Sequence, residues 1–255
     1  MQKTAIVTGA SQGIGRATAI RLAKDFANVV LVARNADKLA DTAKEVGGAG
    51  AQALDIAVDL SEPSAADSIV NQTMANFGRI DALVNIAGDV PQIDLFQMTD
   101  AQWDAGMALK FHGARRLTIR AWEALKATQG SVVLTSGNSA AVPKAAFAAV
   151  AAINAAIVSL AKAFSERGTH DGVQVNSVLP GPVMTGRREA FLDKWSAANG
   201  MSMEEAKSKF LGAADIARYG QPEEIAELMA FLVSPAAKWM TGSALRIDGG
   251  EIKAM

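Results

Sequence analysis

The sequence predicts an α/β fold, in which a doubly wound parallel sheet of about seven strands forms a single domain. Three observations support this prediction. Short β-branched runs recur along the chain and alternate with segments of helical length and composition. The runs are apolar throughout rather than at every second residue, as expected for parallel strands covered by helices on both faces. No internal repeat or low-complexity linker divides the 255 residues, so we predict one domain over residues 1–255.

The strands and helices are predicted to alternate along the chain. Strands are predicted at residues 4–8, 28–33, 54–59, 82–86, 131–136, 173–179 and 244–248, where β-branched and other apolar residues cluster. Helices are predicted at about residues 14–25, 36–46, 63–77, 100–126, 145–167 and 222–233, from their composition and length. Pro63 and Pro222, each next to an acidic residue, mark the starts of two of these helices.

The alternation pauses once, at residues 186–214. This helix-like segment of mixed charge lies between the strand that ends near Leu179 and the helix that begins near Pro222. In a doubly wound sheet, an insertion after the carboxyl end of a strand lies above the ligand crevice. We therefore predict that it forms a small substrate lid.

The charge balance excludes several classes of protein. The chain has 25 Lys and Arg residues against 26 Asp and Glu residues, so its net charge is −1. Nucleic-acid and membrane-surface proteins usually carry an excess of positive charge, so no nucleic acid or membrane is expected as a partner. Half of the residues are hydrophobic, which is ample for a core. The apolar stretch 145–161 carries Asn154 and Ser159, and we interpret it as a closely packed helix rather than a membrane span.

Cysteine is absent, which removes disulfides, thiolate metal sites and cysteine nucleophiles. With two histidines and no metal-binding motif, no metal site is predicted. The chain begins without a basic region followed by a long apolar region, so no signal peptide is evident, and a cytoplasmic location is predicted.

A glycine-rich turn, T-G-A-S-Q-G-I-G at residues 8–15, directly follows the first predicted strand and opens a helix. Glycines allow a tight turn and close approach to a pyrophosphate, and the free N–H groups of the helix end attract it. This position in the chain predicts nucleotide binding, although a purely structural turn is the alternative.

The end of the second strand bears on the choice of cofactor. An acidic residue there binds the ribose 2′-hydroxyl of NAD, whereas an arginine suits the 2′-phosphate of NADP. The chain has Ala33-Arg34-Asn35 at this place, so NADP(H) is favoured over NAD(H). Alternatively, Arg34 is merely solvated and Asp37 turns back to the ribose.

Four motifs in order resemble the short-chain dehydrogenase/reductase superfamily in its single-domain form. They are the glycine-rich turn, N-I-A-G at 85–88, Pro180-Gly181 followed by Thr185, and D-G-G at 248–250. The resemblance covers essentially the whole chain. It implies a Rossmann fold, hydride transfer between a nicotinamide cofactor and a carbonyl or alcohol, and a homo-oligomer, either a dimer or a tetramer.

The resemblance also implies the residues that bind the cofactor. It gives pyrophosphate contacts to the turn, an adenine contact to Asp59, adenosine-ribose contacts to the N-I-A-G motif, and nicotinamide contacts to the segment 180–185. For Asp59, the alternative is a carboxylate that caps the helix start before Ser61. Together with Arg34, the predicted cofactor residues are Gly9, Ser11, Gln12, Gly13, Ile14, Gly15, Asp59, Asn85, Ala87, Gly88, Pro180, Gly181 and Thr185.

The catalytic residues that the resemblance implies are replaced. The superfamily uses a Tyr as general acid/base, a Lys four residues later, a Ser that polarises the carbonyl, and an Asn on another helix. In this chain the matching positions hold Val150, Asn154, Gly137 and Lys110. The chain has one tyrosine, Tyr219, which lies just before a late helix, so no shift of alignment restores the missing residue.

Lys110 and Ser139 are therefore the predicted catalytic residues. The family's Asn and Lys face the same crevice, and here they are exchanged. We hypothesise that the Lys110 ammonium reaches the space vacated at position 154, with a pKa lowered by burial. Alternatively, Lys110 only packs along its helix. Ser139 is close enough in the loop to reach the site. Arg187 and Arg188, at the start of the predicted lid, bind a substrate carboxylate or phosphate, or else are exposed charges.

Two functions remain open. The first is an NAD(P)(H)-dependent oxidoreductase that acts on a small carbonyl or alcohol and takes its proton from Lys110, Ser139 or water. The second is a catalytically silent NADP-binding protein with a sensor or assembly role. The intact nicotinamide-side motif favours the first.

Overall fold

A parallel sheet of seven strands organises the protein in the computed structural model, which describes residues 2–253. The strands are β1 (Thr4–Thr8), β2 (Asn28–Ala33), β3 (Gln52–Ala57), β4 (Ala82–Asn85), β5 (Ser131–Thr135), β6 (Gln174–Pro180) and β7 (Ala244–Ile247). Their order in the sheet is β3-β2-β1-β4-β5-β6-β7, so the direction of winding reverses between β1 and β4. A crevice opens at the carboxyl ends of the strands at such a reversal. The predicted fold class is confirmed.

Helices cover both faces of the sheet. They are α1 (Gly13–Leu22), α2 (Ala36–Gly48), α3 (Ala65–Phe77), α4 (Asp100–Gly106), α5 (Ala114–Thr128), α6 (Ala148–Asp171), α7 (Gly186–Ala198), α8 (Met203–Ala214) and α9 (Pro222–Leu232). Helices α1, α2 and α9 pack on one face, and α3, α5 and α6 pack on the other. In β1, Val7 faces the first layer and Ile6 the second, and both are fully buried. Successive side chains of a strand point to opposite faces, which explains why the strands are apolar throughout.

Three predicted elements differ from the structure. The third strand is β3 at Gln52–Ala57, an edge strand with several exposed positions, and Asp59 follows its end. The predicted helix 100–126 is interrupted, because α4 and α5 are joined by a π-helical segment at Met107–Gly113. The insertion at 186–214 forms two helices, α7 and α8, packed around the buried Leu192 and Tyr219. Hydrophobic periodicity reveals neither an edge strand nor a widened helical turn.

The segment Ala145–Asp171 is long and apolar enough to cross a membrane by length and composition, with a mean hydropathy of 1.8 and a third of its most apolar window buried. A core helix passes the same test. In this fold, Ile157 and Ala161 of α6 pack into the core beneath the sheet, and Ile153 packs into a smaller cluster beside it. These contacts match the interpretation of this stretch as a packed helix.

Candidate active site

Two cavities open at the carboxyl ends of the strands, one on each side of the lid's first helix. The first is a cleft of about 510 Å³ between the glycine-rich turn, the end of β2, the loop after β4 and the start of α7. Most of the predicted cofactor residues line it: Gly9, Ser11, Gln12, Gly13, Ile14, Gly15, Arg34, Ala87, Gly88 and Thr185. The structure thus brings together residues that are up to 176 positions apart in the chain, from Gly9 to Thr185.

The glycine-rich turn is shaped by close backbone contacts. Gly9 and Gly13 have φ angles of +69° and +53°, which favour glycine. A Cβ at Gly15 would lie 2.0 Å from the carbonyl oxygen of Gly9, so only glycine allows the turn to close onto α1. The Gln12 side chain makes no capping bond to α1. The first N–H groups of this helix are therefore available to a phosphate, and the cleft fits a dinucleotide.

Two cations stand at the far end of this cleft. Arg34 follows β2, is well exposed, and lies with its Nη1 4.0 Å from Asp59 Oδ2. Lys38, in the first turn of α2, donates from Nζ to Gln12 Oε1 at 3.2 Å and also lines the cleft. Asn35 caps α2 by accepting from the Lys38 backbone N–H at 2.9 Å. Lys38 was missed by the sequence analysis, although its place one turn after a capping Asn was a usable signal.

The side chains of Asp59 and Asn85 have other partners. Asp59 Oδ1 accepts from the Ser61 backbone N–H at 2.9 Å and from Ser61 Oγ at 2.8 Å. These bonds, the backbone one first, hold the pKa of Asp59 below its usual value, with a smaller effect of Arg34. Asn85 is buried and donates from Nδ2 to Thr118 Oγ1 at 3.2 Å. Asp59 therefore makes a local turn with Ser61 and does not cap a helix, because α3 begins only at Ala65. The Asn85 side chain is bonded to α5.

The nicotinamide-side segment divides between the two cavities. Pro180 and Gly181 line the second cavity, whereas Thr185 lines the first and caps α7 by accepting from the Arg188 backbone N–H at 3.3 Å. Arg187 crosses to the loop after β4, donating to the carbonyl oxygens of Gly88 at 3.3 Å and Val90 at 2.6 Å. The start of the lid is thus tied to the cleft wall.

The second cavity has a volume of about 330 Å³ and is lined by four of the residues that the sequence analysis considered for catalysis. Gly137, Ser139, Val150 and Asn154 all line it, together with parts of α7 and α8. Val150 contributes no polar atom. Tyr219 is buried against α7 and α8, where its ring stacks on that of Phe210 with centroids 5.8 Å apart. It does not line the cavity.

A chain of hydrogen bonds runs from Lys110 to Ser139. Lys110, on the π-helical segment, donates from Nζ to Asn154 Oδ1 and to the Ser136 carbonyl oxygen, the latter at 3.3 Å. Asn154 Nδ2 in turn donates to Ser139 Oγ at 2.8 Å. Ser136 Oγ donates to the Asn154 carbonyl oxygen at 2.8 Å, which fixes the backbone of α6 beside the chain. Lys110 thus reaches position 154, and all three polar groups are ordered relative to the cavity.

Two glycines make room for this chain. A Cβ at Gly137 would lie 2.7 Å from Asn154 Nδ2, and a Cβ at Gly88 would lie 2.9 Å from Lys110 Cδ. Burial lowers the pKa of Lys110 from 10.5 to about 7, and the charge of Arg187 adds to the effect. At neutral pH this amine is therefore close to the midpoint of its titration.

No group of three or more His, Asp or Glu side chains within residues 2–253 is arranged to hold a metal ion.

Known proteins are similar to this chain over its full length. The family model described as Enoyl-(Acyl carrier protein) reductase matches residues 9–251. The chain is 29% identical over 252 residues to the 3-oxoacyl-(acyl-carrier-protein) reductase FabG of Staphylococcus aureus, covering 98% of each chain. L-sorbose reductase from Gluconobacter frateurii, solved with NADPH and L-sorbose, has a TM-score of 0.93 and 30% identity over 100% of this chain and 98% of its own. YwfH, an NADPH-dependent reductase involved in bacilysin biosynthesis, has a TM-score of 0.93 and 26% identity over 100% of both chains.

Proposed function

The chain belongs to the short-chain dehydrogenase/reductase superfamily of NAD(P)-dependent oxidoreductases, within the family described as Enoyl-(Acyl carrier protein) reductase, and we propose that it reduces a small carbonyl compound with NADPH. Proton delivery distinguishes it: Ser139 donates the proton, and Asn154 and Lys110 position Ser139. The observation that carries this proposal is the hydrogen-bonded chain from Lys110 through Asn154 to Ser139 at the wall of the second cavity.

Two features of the first cleft support NADP(H) as the cofactor. The glycine-rich turn offers free N–H groups to a pyrophosphate. At the other end, a 2′-phosphate would meet Arg34, Lys38 and the N-terminus of α2. The sorbose reductase structure contains NADPH, and YwfH is described as NADPH-dependent. Because NADPH supplies the hydride in such reductions, the chain's own task is to hold the carbonyl and to give one proton to its oxygen.

Ser139 is placed to give that proton. Its Oγ accepts from Asn154 Nδ2, so its own O–H is free to donate into the cavity that it lines. A carbonyl oxygen against this hydroxyl accepts the hydrogen bond, and takes the proton as negative charge develops on the oxygen. Water at the cavity mouth then returns a proton to Ser139. Val150 supplies an apolar wall beside the reacting carbonyl.

Lys110 acts through Asn154 and is a positioning residue. Its ammonium binds Asn154 Oδ1, which orients the amide so that Nδ2 points to Ser139. The positive charge also stabilises the negative charge that Ser139 Oγ carries while its proton leaves. Because the pKa of Lys110 is about 7, this charge is present at lower pH and lost at higher pH.

One observation favours a catalytically silent NADP-binding protein as the second candidate. Val150 lies on α6 at the position that matches the superfamily's tyrosine, and Tyr219 is buried against α7 and α8. A protein that binds NADPH tightly but reduces no carbonyl compound would have a sensor or assembly role. The free hydroxyl of Ser139 in the cavity is the argument against this candidate.

The test is NADPH consumption with a broad panel of small ketones and aldehydes, for the wild type, Ser139→Ala and the matched control Ser159→Ala. Ser159 is an exposed serine on α6 that does not line the cavity. We expect Ser139→Ala to lower kcat by about 10²-fold or more, the usual contribution of a general acid. The control leaves kcat unchanged, and the dissociation constant of NADPH, measured by tryptophan quenching, is the same for all three proteins.

Each outcome decides between the candidates. No binding of NADPH refutes both. Tight NADPH binding with no reduction across the panel supports the silent protein. Reduction at an equal rate by Ser139→Ala leaves an oxidoreductase but removes Ser139 as the donor.

Assembly and location are proposed from the sequence. We propose a homo-oligomer, dimer or tetramer, that packs through α5 and α6, where Ile119 of α5 is about half exposed. Sedimentation equilibrium tests this proposal. A cytoplasmic location stays a prediction.

A further inference from the structure

Arg188 is a cation in the wall of the second cavity that has no anionic partner. It lies in the first turn of α7 and is half-buried. Within residues 2–253 its guanidinium makes no hydrogen bond and no ion pair at or below 4.0 Å. The neighbouring Arg187 donates to two carbonyl oxygens and lies 3.7 Å from Asp89. Two adjacent arginines of one helix are thus engaged very differently.

Aromatic rings hold Arg188 in place without using its N–H groups. The guanidinium carbon lies 4.5 Å from the ring centroid of Phe210 and 5.3 Å from that of Phe191. A cation stacked on ring faces keeps the donors at its edge free, and a guanidinium has five of them. The desolvation is unfavourable, since burial lowers the pKa of Arg188. A rigid, partly desolvated fork of unused donors is well suited to bind a planar anion in two-point geometry.

Among residues 2–253, the one carboxylate on the cavity wall does not take up these donors. Glu251 Oε2 accepts from Asn138 Nδ2 at 2.9 Å, and Asn138 also donates to Asp248 at 2.8 Å. Glu251 acts on Arg188 through its charge but lies beyond ion-pair distance. The cavity therefore has a negative group fixed by Asn138 and a positive group open to a ligand.

We propose that Arg188 binds the carboxylate of the substrate, so that the enzyme reduces short oxo acids rather than neutral ketones. This inference rests on the proposed function, because it places the carboxylate in the cavity whose wall holds Ser139. The volume of about 330 Å³ is at the small end for a ligand site, which favours a short acid over a large one. The carboxylate is bound non-covalently, so no bond to it forms or breaks, and the carbonyl is reduced as described under Proposed function.

The kinetic test compares each acid with its neutral counterpart. Pyruvate, 2-oxobutyrate, acetoacetate and levulinate are each paired with the methyl ester, and NADPH consumption is followed. We expect kcat/KM of the wild type to favour at least one acid over its ester by about 10²-fold. Arg188→Met removes that preference, mainly by raising KM for the acid. Arg188→Lys recovers part of it, since it keeps the charge but loses the fork.

The matched control is Lys194→Met, which removes an exposed cation from the same helix. It is expected to leave both the acid and the ester rates unchanged. Glu251→Gln removes the competing negative charge, and is expected to lower KM for the acid several-fold. An unchanged dissociation constant of NADPH, measured by tryptophan quenching, shows that Arg188→Met is folded.

A second measurement does not depend on turnover. Thermal denaturation with the oxidised cofactor NADP⁺ present, which cannot reduce the ligand, is recorded with and without each acid and each ester. A ligand that binds the folded protein raises its Tm. We expect the acids to raise Tm of the wild type and Lys194→Met, but not of Arg188→Met, and the esters to raise none.

The two measurements separate this inference from the proposed function. If acids raise Tm through Arg188 while no carbonyl compound is reduced, the anion site stands and the proposed function fails. If neutral ketones are reduced and Arg188→Met treats acids as the wild type does, the anion site is refuted and the proposed function stands. If no acid shifts Tm and none is preferred as a substrate, Arg188 is a packing residue of the lid.

Discussion

The cofactor side and the substrate side of the crevice are both built around closely packed glycines, but the packing partners differ. On the cofactor side, Gly15 is required by the backbone, because its Cβ would lie 2.0 Å from the Gly9 carbonyl oxygen. On the substrate side, Gly137 is required by the side chain of Asn154, and Gly88, on the wall of the cofactor cleft next to it, is required by the side chain of Lys110. The contact of Gly15 is made by the backbone of the turn, and it is the same whatever side chains surround it. The contacts of Gly137 and Gly88 depend on which side chains occupy positions 154 and 110.

This difference explains why a sequence motif defines the cofactor side but not the substrate side. Main-chain N–H groups bind the pyrophosphate, so glycine spacing is sufficient to define that site. On the substrate side, the work is done by side chains that fit one another. Lys110 needs Gly88, Asn154 needs Gly137, and Asn154 joins Lys110 to Ser139. Lys110, Asn154, Ser139 and the two glycines therefore form one matched set, and a single change is expected to disable it.

The largest effect is expected from Gly15→Ala, on the cofactor side. The added methyl group meets a backbone oxygen that cannot turn aside, so the turn has to open. We expect the dissociation constant of NADPH to rise by more than about 100-fold, since correctly aimed N–H groups are lost. The unfolding free energy falls by about 1–3 kcal/mol, typical of overpacking. Tryptophan quenching and urea denaturation measure the two quantities.

The matched change on the substrate side, Gly137→Ala, is expected to separate turnover from cofactor binding. Its methyl group displaces the Asn154 amide and breaks the bond to Ser139 Oγ. We expect kcat to fall by about 10²-fold, as for the loss of a general acid, with the NADPH dissociation constant unchanged. A variant that loses NADPH binding as well would show that the two sides are not separable.

How much of this was predictable follows from the same contrast. The sheet and the turn were predictable, because apolar runs and glycine spacing depend on local sequence. The contacts of Lys110 with Asn154, and of Asn154 with Ser139, join residues 44 and 15 positions apart. No local pattern encodes such distances, so the sequence supported only a hypothesis for Lys110. Asp59 and Asn85 were assigned to the cofactor by resemblance, and the bonds of their side chains to Ser61 and Thr118 were not predicted.

The third prediction concerns the pH dependence of the matched set. Because the pKa of Lys110 is about 7, its positive charge is lost as the pH rises above 7. If that charge assists Ser139, kcat for reduction falls by about 16-fold between pH 7 and pH 8.5, because half of the amine is already uncharged at pH 7 and the fall approaches tenfold per unit only at higher pH. Lys110→Met lowers kcat at pH 6 and flattens this profile, while leaving NADPH binding intact.

The same pKa predicts how stability changes with pH. Between pH 7 and 10.5 the unfolded chain keeps a proton on Lys110 that the folded chain has released. The wild type therefore gains stability from this group as the pH rises, and Lys110→Met does not. We expect the stability of Lys110→Met relative to the wild type to decrease by about 3 kcal/mol from pH 7 to pH 10, measured by urea denaturation. If the difference in unfolding free energy between the two proteins is the same at every pH, folding does not lower the pKa of Lys110.

The smallest effect is expected at the exposed end of the cofactor side, from Arg34→Ala. Arg34 is 62% exposed and lies 4.0 Å from Asp59, so water screens much of its charge. Its removal nevertheless leaves the nearby Asp59 carboxylate without this counter-charge. We expect the dissociation constant of NADPH to rise by about tenfold and that of NADH to stay the same, because NADH has no phosphate there. The added Asp59→Asn change should recover part of the loss by removing the repulsion. If Arg34→Ala weakens NADPH and NADH equally, Arg34 supports the shape of the cleft rather than the 2′-phosphate, and the choice of cofactor would then rest on Lys38 and the N-terminus of α2.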